Sequence, residues 1–315
     1  MDATRRASRR VDVALIALDQ PLPAEVERAQ VFYRPTAFRG PGLDAIMEAA
    51  RNLRWVHIPA AGVDSTVFPD LMKRGIVLTH SEGTYDVAVG EFAMALVVAA
   101  AKRLPALTQG QSEKRWLKGG GWEDLEHHPV VPEPLQGKTI GIVGLGGIGR
   151  AVARPARGFG MRVLAVRRTG QPDRLAQTVY TPDRLLEMLP QCDYVVLAAP
   201  LTAESREMIG ERELAAMKPT AWLVNIARGA LVDEEALVKA LQSGQIAGAG
   251  LDVFAREPLP AESPLWEMDN VIVAPHVAGL YQQMREVEAD HFAAELKRFL
   301  AGQPLRSLVD FTLGY

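Results

Sequence analysis

The feature that most constrains this chain is a glycine-rich run near its middle, Gly144-Leu145-Gly146-Gly147-Ile148-Gly149. It follows an apolar stretch, Thr139 to Val143, that reads as a buried strand. It opens a segment of helical character running toward Gly160. Gly-x-Gly-x-x-Gly has a physical meaning in this position. Gly144 permits a tight turn, Gly146 lets the backbone approach a pyrophosphate, and Gly149 lets the helix pack close to the strand. Free amides at the helix start then bind the anion. A plain glycine-rich turn carries the same letters. Here, however, strand, loop, helix and next strand (Arg162 to Val166) occur in order, as a dinucleotide site requires. Pro155 breaks one local rule: inside a helix from Gly147 to Gly160 it removes a hydrogen bond and is expected to kink the helix, at ~3 kcal/mol in an ideal interior.

The second strand of such a unit ends at the adenosine ribose, where an Asp or Glu usually binds the ribose hydroxyls. This chain has Arg167-Arg168-Thr169 there, with Arg167 eighteen positions after Gly149. Two guanidinium groups and a hydroxyl suit a 2′-phosphate, which an acid would repel. Solvated arginines at a strand end are the bland alternative. Their position favours NADP, with NAD at lower affinity.

The rest of the chain alternates strand and helix, the pattern of parallel sheets. In the first part, Val11 to Leu18 reads as a buried strand, Gly42 to Asn52 as a helix, and Arg54 to Ile58 as a strand. The tight loop Pro59-Ala60-Ala61-Gly62 follows, then a helix from Ser65 to Arg74 ended by Gly75 and a strand from Ile76 to Leu78. Asp86 to Leu104 is a long apolar helix joining two domains. Thr108 to Gln136 lacks periodicity and reads as an extended arm. Further strands are expected at Tyr194–Ala198, Trp222–Asn225, Ala249–Leu251 and Val271–Val273. Asp233 to Ser243 is a helix with Asp233 as N-cap and Gly244 as C-cap, and a last helix runs from about Tyr281 to Leu300. The fold class is α/β: two Rossmann-like domains with parallel sheets and an active-site cleft between them. Residues 1–98 with 285–315 form the substrate domain, and residues 99–284 the dinucleotide-binding domain.

Composition excludes several classes. The 315 residues carry a net charge of −3 and 48% hydrophobic residues, a globular balance without general attraction to nucleic acid or anionic membranes. The start is locally basic (Arg5, Arg6, Arg9, Arg10), but the apolar run after it is too short and interrupted for a signal peptide. No apolar run reaches the ~20 residues of a membrane span, so a cytoplasmic protein is expected. Cys192, the one cysteine, cannot form an internal disulfide and reads as core. His57, His80, His127, His128 and His291 form no metal-ligand spacing, so no metal is expected.

Three later segments complete the pattern: Asn225-Ile226-Ala227-Arg228-Gly229, Leu251-Asp252-Val253-Phe254-Ala255-Arg256-Glu257-Pro258, and Pro275-His276-Val277-Ala278-Gly279. With the glycine loop before them, the chain closely resembles the D-isomer-specific 2-hydroxyacid dehydrogenases. The arginine pair makes it most similar to the NADPH-using glyoxylate/hydroxypyruvate reductase branch. The resemblance implies that His276 is the acid in reduction and the base in oxidation, that Glu257 orients and charges it, and that Arg228 grips the substrate carboxylate and polarises the ketone. These roles suit the residue types: a histidine titrates near working pH, a carboxylate favours imidazolium, and a guanidinium makes paired hydrogen bonds. It also implies that the amides of Ala61 and Gly62 hold the substrate carboxylate. The cofactor site then comprises Leu145, Ile148, Pro200, Thr202, Ile226, Ala227, Arg228, Asp252, His276 and Gly279, beside the glycines and Arg167-Arg168-Thr169. Asp252 reads equally as a turn cap. A homodimer is implied, with an arm tryptophan (Trp116 or Trp122) reaching the partner, and Ile58 and Val63 lining the substrate pocket.

Two other functions fit the same letters. One is an NAD(P)H-sensing binding protein like the corepressors on this fold, which favour NAD and carry extra tails. The other is a dehydrogenase of formate or phosphoglycerate. Formate oxidation is expected to need more polar residues in the substrate loop, and phosphoglycerate enzymes often carry a regulatory domain. The paired arginines and the short ends favour the reductase.

Overall fold

The computed structural model describes residues 11–17, 20–34, 42–63, 69–117 and 130–315, which form two units. The first unit comprises residues 1–85 and 280–315, the second 86–279. The basic start, Leu18, Asp64, the beginning of the Ser65–Arg74 helix, Trp122, His127 and His128 lie outside the described residues.

The first unit holds three parallel strands in the order β1-β2-β3: β1 (Val31–Tyr33), β2 (Trp55–Ile58) and β3 (Val77–His80). β2 is the centre strand and every residue of it is buried; its one polar side chain, His57, has ring nitrogens 2.8 Å from Thr79 Oγ1 and 3.2 Å from Ser81 Oγ. Its core gathers Ile46, Val56, Ile58, Leu71, Ile76 and Leu78. The last helix, Met284–Leu300, adds Phe292 and Leu296 against Trp55. β1 replaces the expected first strand. Residues 11–17 pair with no strand among the described residues, and Val13 and Leu15 are exposed. An apolar run states a preference for burial, but a strand also needs a free ladder beside it, and Val31–Tyr33 takes that place along β2.

The second unit contains a seven-stranded, wholly parallel sheet in the order β10-β9-β8-β7-β4-β5-β6. Its strands are β4 (Thr139–Val143), β5 (Arg162–Val166), β6 (Thr178–Tyr180), β7 (Tyr194–Leu197), β8 (Trp222–Asn225), β9 (Gly248–Leu251) and β10 (Val271–Val273). β4, β7, β8 and β9 are buried along their whole length, as expected for a parallel sheet covered on both faces. Cys192 belongs to this core; burial pushes its thiol up to about 12. The helix Glu234–Gln242 begins at Asp233, whose carboxylate accepts the Ala236 N–H at 3.0 Å, and Gly244 follows its end at φ +71°.

The unit boundary differs from the expected one at residue 98. The helix Asp86–Ala101 is apolar all round and buries Val89, Ala93, Leu96 and Val97 within the second unit. Gly90 lets it press against Ala151, and Gly250 of β9 leaves room for Leu96. Apolarity on all faces announced a buried helix, without saying which unit buries it. A second helix, Leu104–Ser112, enters the stretch expected to be an unstructured arm. Pro105 stands in its first turn, where the missing N–H has no partner to lose. Trp116, beyond it, is 86% exposed. The helix after the glycine loop runs Gly147–Gly158 and contains Pro155 at the start of its last turn. Among the described residues no helix is long and apolar enough to cross a membrane, and no cluster of His, Cys, Asp and Glu is placed to hold a metal ion.

Candidate active site

Because all seven strands of the second unit run the same way, their C-terminal ends share one edge. The glycine loop leaves β4 there, Arg167 to Thr169 leave β5, and Pro200 and Thr202 follow β7. Arg228 follows β8, Asp252 to Glu257 follow β9, and His276 follows β10. The strand order reverses between β4 and β7. In an open parallel sheet, ligands bind outside the carboxyl ends at such a switch point.

The glycine loop has the shape its sequence requires. Gly144 has φ +101°, and a Cβ there would lie 2.5 Å from Ala199 N and 2.6 Å from the Ala198 carbonyl. At Gly149 a Cβ would overlap the Gly144 carbonyl oxygen, so the helix sits directly on the turn. At Gly146, the N-cap, a Cβ would meet no protein atom within 4 Å. The open space over Gly146 is therefore where a side chain would intrude on a ligand approaching the helix start, and this fits a dinucleotide pyrophosphate. Arg167 is half-buried, while Arg168 and Thr169 are exposed. Asp173 closes the following turn: its carboxylate accepts the Leu175 N–H at 3.0 Å and pairs with Arg150 of the loop helix at 2.9 Å. The Leu175 amide foremost, then Arg150 and Arg167, hold the Asp173 carboxyl below its ordinary range. Ser205 ties down the segment after β7, donating to Pro200 O (2.7 Å) and accepting the Thr202 N–H (2.8 Å).

The three residues singled out for chemistry follow neighbouring strands β8, β9 and β10. His276 Nδ1 lies 2.7 Å from Glu257 Oε2, and the other carboxylate oxygen accepts the Phe254 N–H at 3.1 Å. The hydrogen bond to Glu257 raises the His276 pKa above its ordinary value, against the opposing effect of burial. Burial pushes Glu257 up, but the bonds from His276 and Phe254 prevail and hold its carboxyl below the usual range. Arg228 lies close enough to act electrostatically on both.

Each member has its own backbone support. Asn225, buried at the end of β8, accepts the Ala227 N–H (3.1 Å) and donates to Arg228 O (2.9 Å), which shapes the turn presenting Arg228. Gly229 lets that turn touch its neighbour, since a Cβ there would overlap the Phe254 carbonyl. His276 adopts φ +56°, a left-handed conformation that disfavours side-chain-bearing residues. Asp252, only 1% exposed, holds it: its two carboxylate oxygens accept the N–H groups of Val277 (2.8 Å) and Ala278 (2.9 Å). Burial raises the Asp252 pKa, and the two amides oppose that rise. Its position between strand end and histidine turn favours this anchoring role, which sequence reasoning left open against a cofactor contact. Asn225 was not singled out as a site residue, although it opens the Asn-x-x-Arg-Gly motif.

In the first unit, the loop after β2 contains Ala61, exposed, and Gly62, half-buried. Ile58 and Val63, expected to line a pocket, are buried in that unit's core.

The comparisons agree on one family. A family model described as D-isomer specific 2-hydroxyacid dehydrogenase, NAD binding domain, matches residues 94–278. A glyoxylate reductase from Thermococcus gammatolerans is 44% identical over 267 residues, 84% of this chain and 78% of that protein. Among solved structures, a D-isomer specific 2-hydroxyacid dehydrogenase from Xanthobacter autotrophicus, in complex with NADPH and MES, matches with a TM-score of 0.85. It is 30% identical, and the match covers 100% of this chain and 94% of that one. An NADPH-dependent glyoxylate/hydroxypyruvate reductase from Sinorhizobium meliloti, in complex with NADP and malonate, matches with a TM-score of 0.77. It is 30% identical, with 93% and 87% covered.

Proposed function

The chain belongs to the D-isomer specific 2-hydroxyacid dehydrogenase family, and on that premise we propose that it is an NADP-dependent reductase of small 2-keto acids such as glyoxylate and hydroxypyruvate. The observation that carries this reading is the 2.7 Å pair between His276 and Glu257, with Arg228 in the loop after the adjoining strand β8. Reduction of a ketone leaves negative charge on the carbonyl oxygen, so the site must deliver a proton as well as hold the substrate. His276, kept protonated by Glu257 at Nδ1, donates that proton from Nε2. In the reverse direction it takes the proton back. Arg228 binds the substrate's carboxylate and draws charge toward the ketone oxygen. The amides of Ala61 and Gly62 are, on the same reading, further donors to the substrate's carboxylate. Asp252 and Asn225 keep His276 and Arg228 in place.

Gly144 to Gly149 would hold the pyrophosphate of a nicotinamide dinucleotide. Arg167, Arg168 and Thr169 would hold its 2′-phosphate, and Pro200, Thr202, Ile226, Ala227 and Gly279 would line the rest of its site. The bound cofactor supplies the hydride. Preference for NADP over NAD rests on the absence of an acid at the end of β5 and on the two guanidinium groups there. A homodimer is part of the same reading.

The test is the initial rate of reduction of glyoxylate, hydroxypyruvate, pyruvate and phenylpyruvate, each with NADPH and with NADH, followed by nicotinamide absorbance. Turnover favouring NADPH supports reaction and cofactor together. Turnover with NADH alone overturns the cofactor, and binding of NADPH without turnover of any acid overturns the reductase.

A further inference from the structure

Three consecutive carbonyls in the loop after β2 are held from behind by one segment, residues 80–85. The Tyr85 hydroxyl donates to Pro59 O at 2.9 Å and also reaches the Glu288 carboxyl. Ser81 N–H donates to Ala60 O at 3.1 Å. His80 Nδ1 lies 3.0 Å from Ala61 O.

In a trans peptide the carbonyl and the following N–H point in opposite directions. Anchoring Ala60 O on Ser81 therefore turns the Ala61 N–H away from the 80–85 segment. Anchoring Ala61 O on His80 turns the Gly62 N–H the same way. Two successive amides are thus aimed together, as gripping one carboxylate requires. Ser81 acts through its backbone and Tyr85 holds the preceding plane. Among the described residues, the bond that orients the Gly62 amide comes from a side chain, that of His80.

We propose that His80 is a positioning residue for substrate: through the Nδ1–H···O=C bond to Ala61 it orients the Gly62 amide toward the substrate's carboxylate. This rests on the reading of the Ala61–Gly62 loop as the carboxylate site. A carbonyl acceptor requires the proton on Nδ1. The mechanism uses no charge on this ring, only its donor.

The test exploits the geometry of the donor. Asn can place an N–H near the position of Nδ1, whereas Gln reaches toward Nε2 and Phe fills the ring's volume with no donor. His80→Gln and His80→Phe are expected to raise KM for glyoxylate by about 5- to 20-fold, the effect of losing one oriented hydrogen bond. kcat should stay within about threefold and NADPH affinity should not change. His80→Asn should restore KM to within about threefold of the parent. Thermal midpoints identify any variant that fails to fold, and either Gln or Phe alone decides the comparison with Asn. Equal KM values for Asn, Gln and Phe would overturn the role of His80. The loop reading is checked separately in the unmutated protein, labelled with nitrogen-15 alanine and glycine and saturated with NADP. Adding oxalate should move the Ala61 and Gly62 amide resonances. If they stay still, the carboxylate reading falls; if they move while the three variants match, only the His80 proposal falls.

Discussion

Glu257 Oε2 and His276 Nδ1 are 2.7 Å apart although they lie nineteen positions apart in the sequence, because they follow the adjacent parallel strands β9 and β10. Each changes the other's titration in the direction that favours an ion pair. Reduction requires imidazolium, so kcat/KM for the keto acid should fall as pH rises through the raised pKa of His276. Glu257→Gln removes the largest cause of that rise. The alkaline limb should then move to lower pH, and the pH profiles of both proteins check it. An unmoved limb would take Glu257 out of this role.

The same pair links pH to folding. His276 is raised, so its contribution is complete below its ordinary 6.5 and is lost as pH climbs through the folded value. Glu257 is lowered, so its contribution is present above its ordinary 4.5 and is lost as pH falls through the folded value. The difference in stability between the parent and His276→Ala should therefore be greatest between 4.5 and 6.5. Denaturant unfolding across pH measures it. His276→Ala should also lower kcat by about 100-fold or more, with NADPH binding retained by fluorescence titration.

Asp252→Asn should loosen the turn that holds His276 in its left-handed conformation. The amide offers one oxygen where two N–H groups now find acceptors 2.8 and 2.9 Å away. Leaving one buried donor unsatisfied costs about 1–3 kcal/mol. The expected result is a lower thermal midpoint together with reduced kcat. A variant as stable and active as the parent would contradict the anchoring role.

Two glycine-to-alanine changes should separate folding from binding. Gly229→Ala puts a Cβ into the Phe254 carbonyl and should destabilise the protein by about 1–3 kcal/mol or more, with activity lost. Gly146→Ala meets no protein atom within 4 Å, so stability should barely change. The same Cβ intrudes where the pyrophosphate is proposed to lie, and NADPH affinity should weaken by about tenfold, near 1.4 kcal/mol. Unfolding curves and cofactor titrations on both variants check the contrast.

Arg167→Asp combined with Arg168→Ala should lower the NADPH-to-NADH ratio of kcat/KM by about 10- to 100-fold, the effect of hydrogen bonds to a charged group. An unaltered ratio would remove the 2′-phosphate from the end of β5.

Much of the cofactor unit was legible because its signals are local. Gly144 and Gly149 are needed wherever a strand turns tightly into a helix, and Asp233 caps the helix beside it by a bond three residues long. The first unit was harder to read. Val11 to Leu18 has strand composition, yet its described residues pair with nothing described, while the shorter Val31–Tyr33 lies along β2. β6 was missed because three residues between turns carry almost no periodicity.

By itself, then, the sequence determined the turn chemistry, the apolar runs that become central strands, and the identity of the charged residues at their ends. Tertiary structure alone decided which of those residues meet. Parallel pairing carries residues 228, 257 and 276 to one edge of one sheet, Gly229 permits the close approach of two loops, and Asp252 fixes a histidine in a conformation its own backbone disfavours. Likewise His80 gains its meaning only from the carbonyl that the neighbouring strand places before it. Local propensity depends on a few neighbouring residues. Pairing register, burial and donor–acceptor contacts depend on segments distant in the chain, so they exist only once the chain has folded.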